Sequence, residues 1–100
     1  MKLGIYVNTN RHLAHVVGLV KAAIAKGHEV ILFDMDDGTK LLGTPEFKSL
    51  CTTQGVSMSY CDHSAKDLGV ATEGLPQELI CGSQYNNAMM MHDADRVIVL

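Results

Sequence analysis

The chain has 100 residues, of which 47% are apolar and 19% are charged, and its formal net charge is −3. This acidic balance, and aromatic residues that do not alternate with basic ones, exclude a surface built to bind nucleic acid or an anionic membrane. The apolar stretch at residues 3–7 is too short for a signal peptide and no stretch has membrane-spanning length, so we expect a cytoplasmic protein with no membrane partner and reduced cysteines.

The first third of the chain has the pattern of a strand, a helix and a second strand. Residues 3–8 form an apolar run that ends in turn-forming residues, which predicts a strand. Apolar residues then recur at steps of three and four over residues 13–24, which predicts a helix that Thr9 or Asn10 caps. Residues 29–33 are the second strand, and such a unit implies parallel strands with a right-handed crossover.

The alternation of strands and helices continues to the last residue. Thr44 and Pro45 have the residue types of a helix start, and residues 56–61 alternate as a third strand. The pattern then predicts a short helix at 76–80, a helix at 84–92 capped by Gly82 and Ser83, and a last strand at 96–100. This order predicts one domain over residues 1–100, an α/β three-layer α/β/α sandwich with a mainly parallel sheet.

Seven apolar side chains should be buried, because they lie on strands covered on both faces or on the apolar stripe of the first helix. These side chains are Ile5, Val7, Val20, Ile31, Phe33, Met58 and Val97. Met89, Met90 and Met91 are consecutive on a predicted helix and cannot all face one side. At least one of the three should therefore contact a second layer or a second subunit.

Cys61 is the candidate for chemistry. It is the last residue of the third strand and directly precedes a predicted helix, where backbone N–H groups favour a thiolate. Sites in α/β proteins form at the carboxyl ends of the strands, and Asn8 and Asp34 lie at the ends of the first two. His63 can pair with the thiolate as an imidazolium, while the charge of Asp62 opposes ionisation.

Short motifs in this order resemble the DsrE/DsrF-like sulfur-relay family, which includes the TusD-type subunits of tRNA thiolation. The motifs are Gly27-His28-Glu29-Val30, Asp37-Gly38, Gly55-Val56, Cys61-x-x-Ser64-Ala65-x-x-x-Gly69 and Ala94-Asp95-Arg96-Val97. Together they cover most of the chain. One departure is Leu68, where the resemblance leads us to expect a basic residue before the glycine.

The resemblance implies a flavodoxin-like (DsrE-like) fold, a homotrimer or homohexamer, and a cysteine that carries sulfur as a persulfide from a donor protein to an acceptor protein. That cysteine matches Cys61, which would make the chain a sulfurtransferase-like persulfide carrier with no cofactor and no metal. We expect His63 and Ser64 to orient the sulfur, and Asn8 and Thr9 to line the same edge of the sheet.

Two other functions are compatible with the residues. The same fold can form a non-catalytic oligomeric module that binds a small molecule or a protein at the strand ends. Alternatively, His12 and His15 lie three residues apart on one helix face and, with Asp34 or Asp36, would form the weak metal site of a regulator.

The remaining candidates have structural interpretations. Cys51 lies on the apolar stripe of a short helix and should pack in the core, because free cysteine is among the most buried residue types. The same role is favoured for Cys81, which precedes a capping Gly-Ser pair. For Ser64, a cap on the helix that follows Cys61 is favoured over a hydrogen bond to sulfur.

Overall fold

A computed structural model describes residues 1–100 and shows an α/β architecture on one five-stranded, all-parallel sheet. The strands are β1 (Lys2–Val7), β2 (Glu29–Asp34), β3 (Val56–Cys61), β4 (Leu79–Gly82) and β5 (Arg96–Val99), arranged as β4-β3-β2-β1-β5. The helices are α1 (Leu13–Ala25), α2 (Pro45–Lys48), α3 (Asp62–Asp67) and α4 (Gln84–Asp93), with 3-10 helices at Asp36–Gly43 and Ser49–Thr52. None of these helices combines the length and the hydropathy of a membrane-spanning segment. The predicted fold class is confirmed.

The register of the sheet brings the carboxyl ends of four strands to one edge. Val7 of β1 lies opposite Asp34 of β2, which in turn lies opposite Tyr60 of β3. Cys61 at the end of β3 lies opposite Gly82 at the end of β4. The segments that leave these four strands therefore meet at the same edge.

The prediction of a short helix at 76–80 is wrong. Leu79–Gly82 is strand β4, which pairs in parallel with β3 and places Leu79 opposite Met58. Four residues are too few to show an alternating pattern. The strand forms because it pairs with β3 at the edge of the sheet, a tertiary contact that the local sequence does not reveal. The other four strands agree with the prediction to within one residue at each end.

The start of the first helix also differs from the prediction. The helix begins at Leu13, with His12 at the N-cap and no capping hydrogen bond from its side chain. Neither Thr9 nor Asn10 caps it, because the Thr9 hydroxyl instead accepts a hydrogen bond from the Arg11 backbone N–H at 3.3 Å, within its own turn.

One face of the sheet, which we call the first face, is covered by α1, α2, α3 and the 3-10 turns. Val16, Val20 and Ala23 are buried on α1, and Phe47 is buried on α2. These side chains, with others from the strands, α3 and the 3-10 turns, form a cluster of 17 buried residues. Burial stabilises the fold by roughly 1.5–3 kcal/mol for each large apolar side chain. Because this cluster holds most of the buried apolar side chains, it contributes most of that stabilisation.

The second face is covered only by α4. Met90 is buried there with Phe33 and Cys61 in a smaller cluster. Close packing of α4 depends on Gly4 in β1, since a Cβ at that position would lie 3.0 Å from the Cβ of Ala94. A single helix of ten residues is too narrow to cover five strands, so part of this face stays open.

Partial cover of the second face corrects two expectations about the core. Ile31 and Val97 pack against the smaller cluster but are only half-buried. On α4, Met89 and Met91 are exposed on either side of the buried residue between them, as their consecutive positions require. The other five expected core residues are buried, namely Ile5, Val7, Val20, Phe33 and Met58.

Candidate functional site

A cleft of about 920 Å³ opens at the carboxyl ends of β1 to β4. Asn8 follows β1, Met35 follows β2, Cys61 ends β3 and Ser83 follows β4, and all four residues line the cleft. Parallel α/β sheets bind their ligands at this edge. Of the five predicted site residues, four line the cleft, namely Asn8, Cys61, His63 and Ser64, whereas Thr9 does not.

Cys61 lines the cleft and is only 4% exposed. Alternation along β3 turns its side chain away from that of Tyr60 and onto the second face of the sheet. There it belongs to the smaller apolar cluster, with Phe33 and Met90. The thiol therefore stands between an apolar cluster and a polar cleft.

The charged side chains of α3 pair with each other rather than with the thiol. His63 Nε2 lies 3.2 Å from Asp67 Oδ2, with both side chains exposed, so the expected pairing of His63 with Cys61 is not seen. Residues four apart on a helix are neighbours, and that spacing favours the partner on the helix. Lys66 Nζ lies 2.9 Å from Asp62 Oδ2, and this hydrogen bond is the main reason that the pKa of Asp62 is lowered. Lys66 thus pairs with the carboxylate that follows Cys61 in sequence, and neither of these two side chains lines the cleft.

The smaller polar residues have different positions from those expected. Ser64 is buried as the third residue of α3 and does not cap it, because the helix begins two residues earlier and Cys61 occupies the N-cap. Asn8 lines the cleft, and its backbone N–H donates to the carbonyl of Leu100 at 3.1 Å. Thr9 lies in the turn before α1, outside the cleft.

The ten-residue helix α4 begins at the cleft. Its N-cap is Ser83, whose hydroxyl accepts from the Tyr85 N–H at 3.2 Å, while Asn86 Oδ1 accepts from the Ser83 N–H at 3.0 Å. This capping box confirms the predicted cap. Gln84 and Tyr85 line the cleft, so the positive end of the α4 dipole faces it and favours a bound anion.

Three residues beside Cys61 were missed in the sequence. Tyr6 and Met35 pack against the smaller cluster, and the Tyr6 hydroxyl donates a hydrogen bond to Met35 Sδ. Gln84 Nε2 donates to the same sulfur at 3.4 Å. Met35 could have been found, because it follows β2 and sites form at the carboxyl ends of parallel strands. Gln84 could not, because it follows β4, which the sequence did not predict. Tyr6 lies inside β1 rather than at its end.

The Tyr6 hydroxyl stays protonated at this site. Burial is the main cause that raises the pKa of Tyr6, and negative charge on Asp36 and Cys61 raises it further. A protonated phenol is a hydrogen-bond donor, so Tyr6 presents a donor rather than a second anion to the thiol.

Asp34 is fully buried at the end of β2, facing the larger cluster of the first face. Neither of its carboxyl oxygens has a hydrogen-bond partner, and burial raises its pKa to about 8. The backbone of Gly38 closes over the carboxyl, because a Cβ there would collide with Asp34 Oδ1 and the Val7 carbonyl. The carboxyl is therefore mainly protonated at neutral pH.

The alternative of a metal-binding regulator lacks a ligand set. No group of three or more His, Cys, Asp or Glu side chains is placed to hold a metal ion. The rings of His12 and His15 pack edge to face with their centroids 5.9 Å apart, and both residues are exposed. Asp34 is enclosed on all sides and is not a free ligand for them.

The other two cysteines lie outside the cleft. Cys51 is buried in the larger cluster, as predicted, and burial raises its pKa. Cys81 is exposed on the edge strand β4, so the packing role expected for it is wrong. It lies opposite Tyr60 in the register, which places it on the other face of the sheet from Cys61.

Comparison with known proteins supports the fold and leaves the function open. No protein-family model matches the chain, and no curated protein matches it by sequence. Among solved structures, the chain is similar to the YchN protein of E. coli, which has a DsrE-like fold, with a TM-score of 0.78 and 17% sequence identity over 100% of both chains. At this identity the likeness shows the fold, which is DsrE-like and flavodoxin-like, and the TusD-type relationship stays a prediction.

Proposed function

We propose that this chain is a cytoplasmic persulfide carrier, which accepts sulfane sulfur on Cys61 and passes it to a partner protein. The observation that carries the proposal is that Cys61, alone among the three cysteines, lines the cleft at the carboxyl ends of the strands. The positive end of α4 faces the cleft and supports an anionic sulfur there, against the carboxylates of Asp36, Asp37 and Asp67 that also line it. Three reduced cysteines fit the cytoplasm, where thiols stay reduced.

Sulfur transfer takes place in two exchanges with no net oxidation or reduction. The Cys61 thiolate attacks the outer sulfur of a donor persulfide, so that a bond from Cys61 Sγ to that sulfur forms and the donor S–S bond breaks. The donor leaves as a thiolate, and a proton from solvent neutralises it. An acceptor thiolate then attacks the outer sulfur in the same way and releases Cys61 as a thiolate.

The rim of the cleft supports a protein as donor and acceptor. Tyr85 is 70% exposed and Leu68 is 42% exposed, and both line the cleft. Exposed aromatic and aliphatic side chains around a reactive group are typical of surfaces that bind another protein. A partner that carries a cysteine on a protruding segment would contact this rim while its thiol reaches Cys61.

The small exposed area of Cys61 favours a second candidate function. A thiol that is 4% exposed is less open to attack than Cys81 on the edge strand, so the cleft would then serve a non-catalytic binding module. The rate of alkylation distinguishes the two functions. The carrier predicts that iodoacetamide modifies Cys61 before Cys81 at neutral pH, and the binding module predicts the reverse.

We further propose that the chain forms a homotrimer or a homohexamer through the open part of the second face. A groove there is lined by Ile31, Ser59, Ile80 and Met89, and Ile80 is 49% exposed. Small domains bury little apolar surface internally, so a second subunit would cover this face. Light scattering at micromolar concentration should show a multiple of three, and Ile80→Glu should lower the mass. A monomeric wild type would contradict the proposal.

Sulfur transfer from the loaded protein tests the proposed function. Protein treated with a low-molecular-weight persulfide and then desalted should deliver about one sulfur per chain to an added acceptor thiol. Cys61→Ser should deliver none and keep the wild-type circular dichroism spectrum, while Cys81→Ser, the matched control, should deliver as much as the wild type. Delivery by Cys61→Ser, or its loss in Cys81→Ser alone, would contradict the proposal.

A further inference from the structure

Two hydrogen-bond donors near Cys61 are directed at a poor acceptor. The Tyr6 hydroxyl and the Gln84 side-chain amide both donate to the thioether sulfur of Met35, the amide at 3.4 Å. A thioether accepts hydrogen bonds only weakly, so neither donor gains much from this contact. Donors in this situation will move to a stronger acceptor that appears beside them.

We infer that Tyr6 and Gln84 form the binding site for the outer, negatively charged sulfur of a Cys61 persulfide. Met35 holds both donors in place while the cysteine carries no sulfur. The inference rests on the proposed function and adds to it the residues that hold the transferred atom.

The strand geometry places the donors on the correct side of the sheet. Tyr6 lies opposite Phe33 in the register, with ring centroids 6.3 Å apart, and Phe33 belongs to the same cluster as Cys61. Met35 lies two residues beyond Phe33 and so faces the same side, since the chain is extended there. The register of Asp34 with Tyr60, continued by one residue, places Met35 beside Cys61.

Addition of sulfur to Cys61 would bring the new atom toward these donors. An S–S bond is roughly 2 Å long, so the outer sulfur would extend from the apolar cluster toward the cleft that Gln84 and Met35 line. Hydrogen bonds to a charged acceptor are roughly twice as strong as those between neutral groups. The half-buried Tyr6 phenol keeps its proton and can donate a hydrogen bond to the anion. The outer sulfur would therefore take both hydrogen bonds from the thioether.

Tyr6→Phe tests the inference, because it keeps the ring against Phe33 and removes only the donor. The control is Tyr60→Phe, since Tyr60 precedes Cys61 in β3 but faces the opposite side of the sheet. Loss of a hydrogen bond to an anion should shorten the lifetime of the Cys61 persulfide about tenfold, measured by intact mass over time. Gln84→Met should shorten it in the same direction, and Tyr60→Phe should leave it unchanged.

A second readout separates this inference from the proposed function. The pH profile of iodoacetamide modification at unloaded Cys61 needs no sulfur donor. Ionisation of Cys61 also places an anion beside the donors, so the Tyr6 hydroxyl can leave Met35 for the thiolate, and in Tyr6→Phe the midpoint should therefore move to higher pH. If the wild type takes up no sulfur, the proposed function fails, while a shifted midpoint would still show that Tyr6 donates to an anionic sulfur at Cys61. Unchanged lifetime and unchanged midpoint in both Tyr6→Phe and Gln84→Met would overturn the inference.

Discussion

Replacement of Asp34 by asparagine should make the fold more stable relative to the wild type as the pH rises. Burial raises the pKa of this carboxyl from its usual 3.8 to about 8, and neither oxygen has a hydrogen-bond partner. Its contribution to stability is therefore fully present below pH 3.8 and is lost as the pH rises to 8. Between these values the unfolded chain releases the proton and the folded chain keeps it.

The size of the effect follows from the interval between the two pKa values. Each pH unit in that interval lowers the free energy of unfolding of the wild type by about 1.4 kcal/mol relative to a variant with no carboxyl. Between pH 4 and pH 7 the advantage of Asp34→Asn should grow by about 4 kcal/mol. The asparagine amide also lacks hydrogen-bond partners in this buried position, which costs free energy. That cost does not depend on pH, so it changes the difference in stability by the same amount at every pH.

Urea unfolding, followed by circular dichroism at pH 5, 6, 7 and 8, measures this difference directly. The free energy of unfolding of Asp34→Asn minus that of the wild type should rise steadily across the series. Asp93→Asn, which removes an exposed carboxyl at the end of α4, is the matched control and should show a nearly flat difference. A flat difference for Asp34→Asn would refute the assignment of a protonated, buried carboxyl.

Three further substitutions test the environment of the core and of the thiol. Val20→Asp should lower the free energy of unfolding by roughly 3 kcal/mol or more, because Val20 is fully buried, and a loss under about 1 kcal/mol in urea titration would show that the helix face is misassigned. Asp62→Asn should speed iodoacetamide modification of Cys61, because it removes a neighbouring charge and leaves Lys66 unpaired; slower modification would contradict this. His63→Gln should change the rate of Cys61 modification less than about twofold, because His63 is exposed and pairs with Asp67 on the same helix. A tenfold fall would show that His63 acts on the thiol, as the sequence predicted.

Most of the fold could be predicted because its signals are local. The apolar run of β1, the three- and four-residue spacing in α1 and the alternation in β3 each lie within one segment of the chain. β4 was missed because it has four residues and forms by pairing with β3 at the sheet edge. The half-burial of Ile31 and Val97 was missed for a similar reason, since it depends on how much of the second face α4 covers.

The candidate site could be predicted only in part. Cys61 and Asn8 follow from the rule that parallel strands end at a shared edge, and both line the cleft. The role expected for His63 assumed that proximity in sequence places it beside the thiol, whereas the helix directs it to Asp67. Tyr6 was missed because its hydroxyl reaches Met35 from another strand, a contact that depends on the sheet register.

Mass analysis of the intact protein after treatment with a sulfane-sulfur donor tests the central claim most directly. We expect an added mass of about 32 Da, one sulfur atom, which a reducing agent removes. Peptide mapping should place this mass on Cys61, with Cys51 and Cys81 unmodified. An adduct on Cys81 alone, or no adduct under conditions that load an ordinary exposed thiol, would contradict a persulfide carrier built on Cys61.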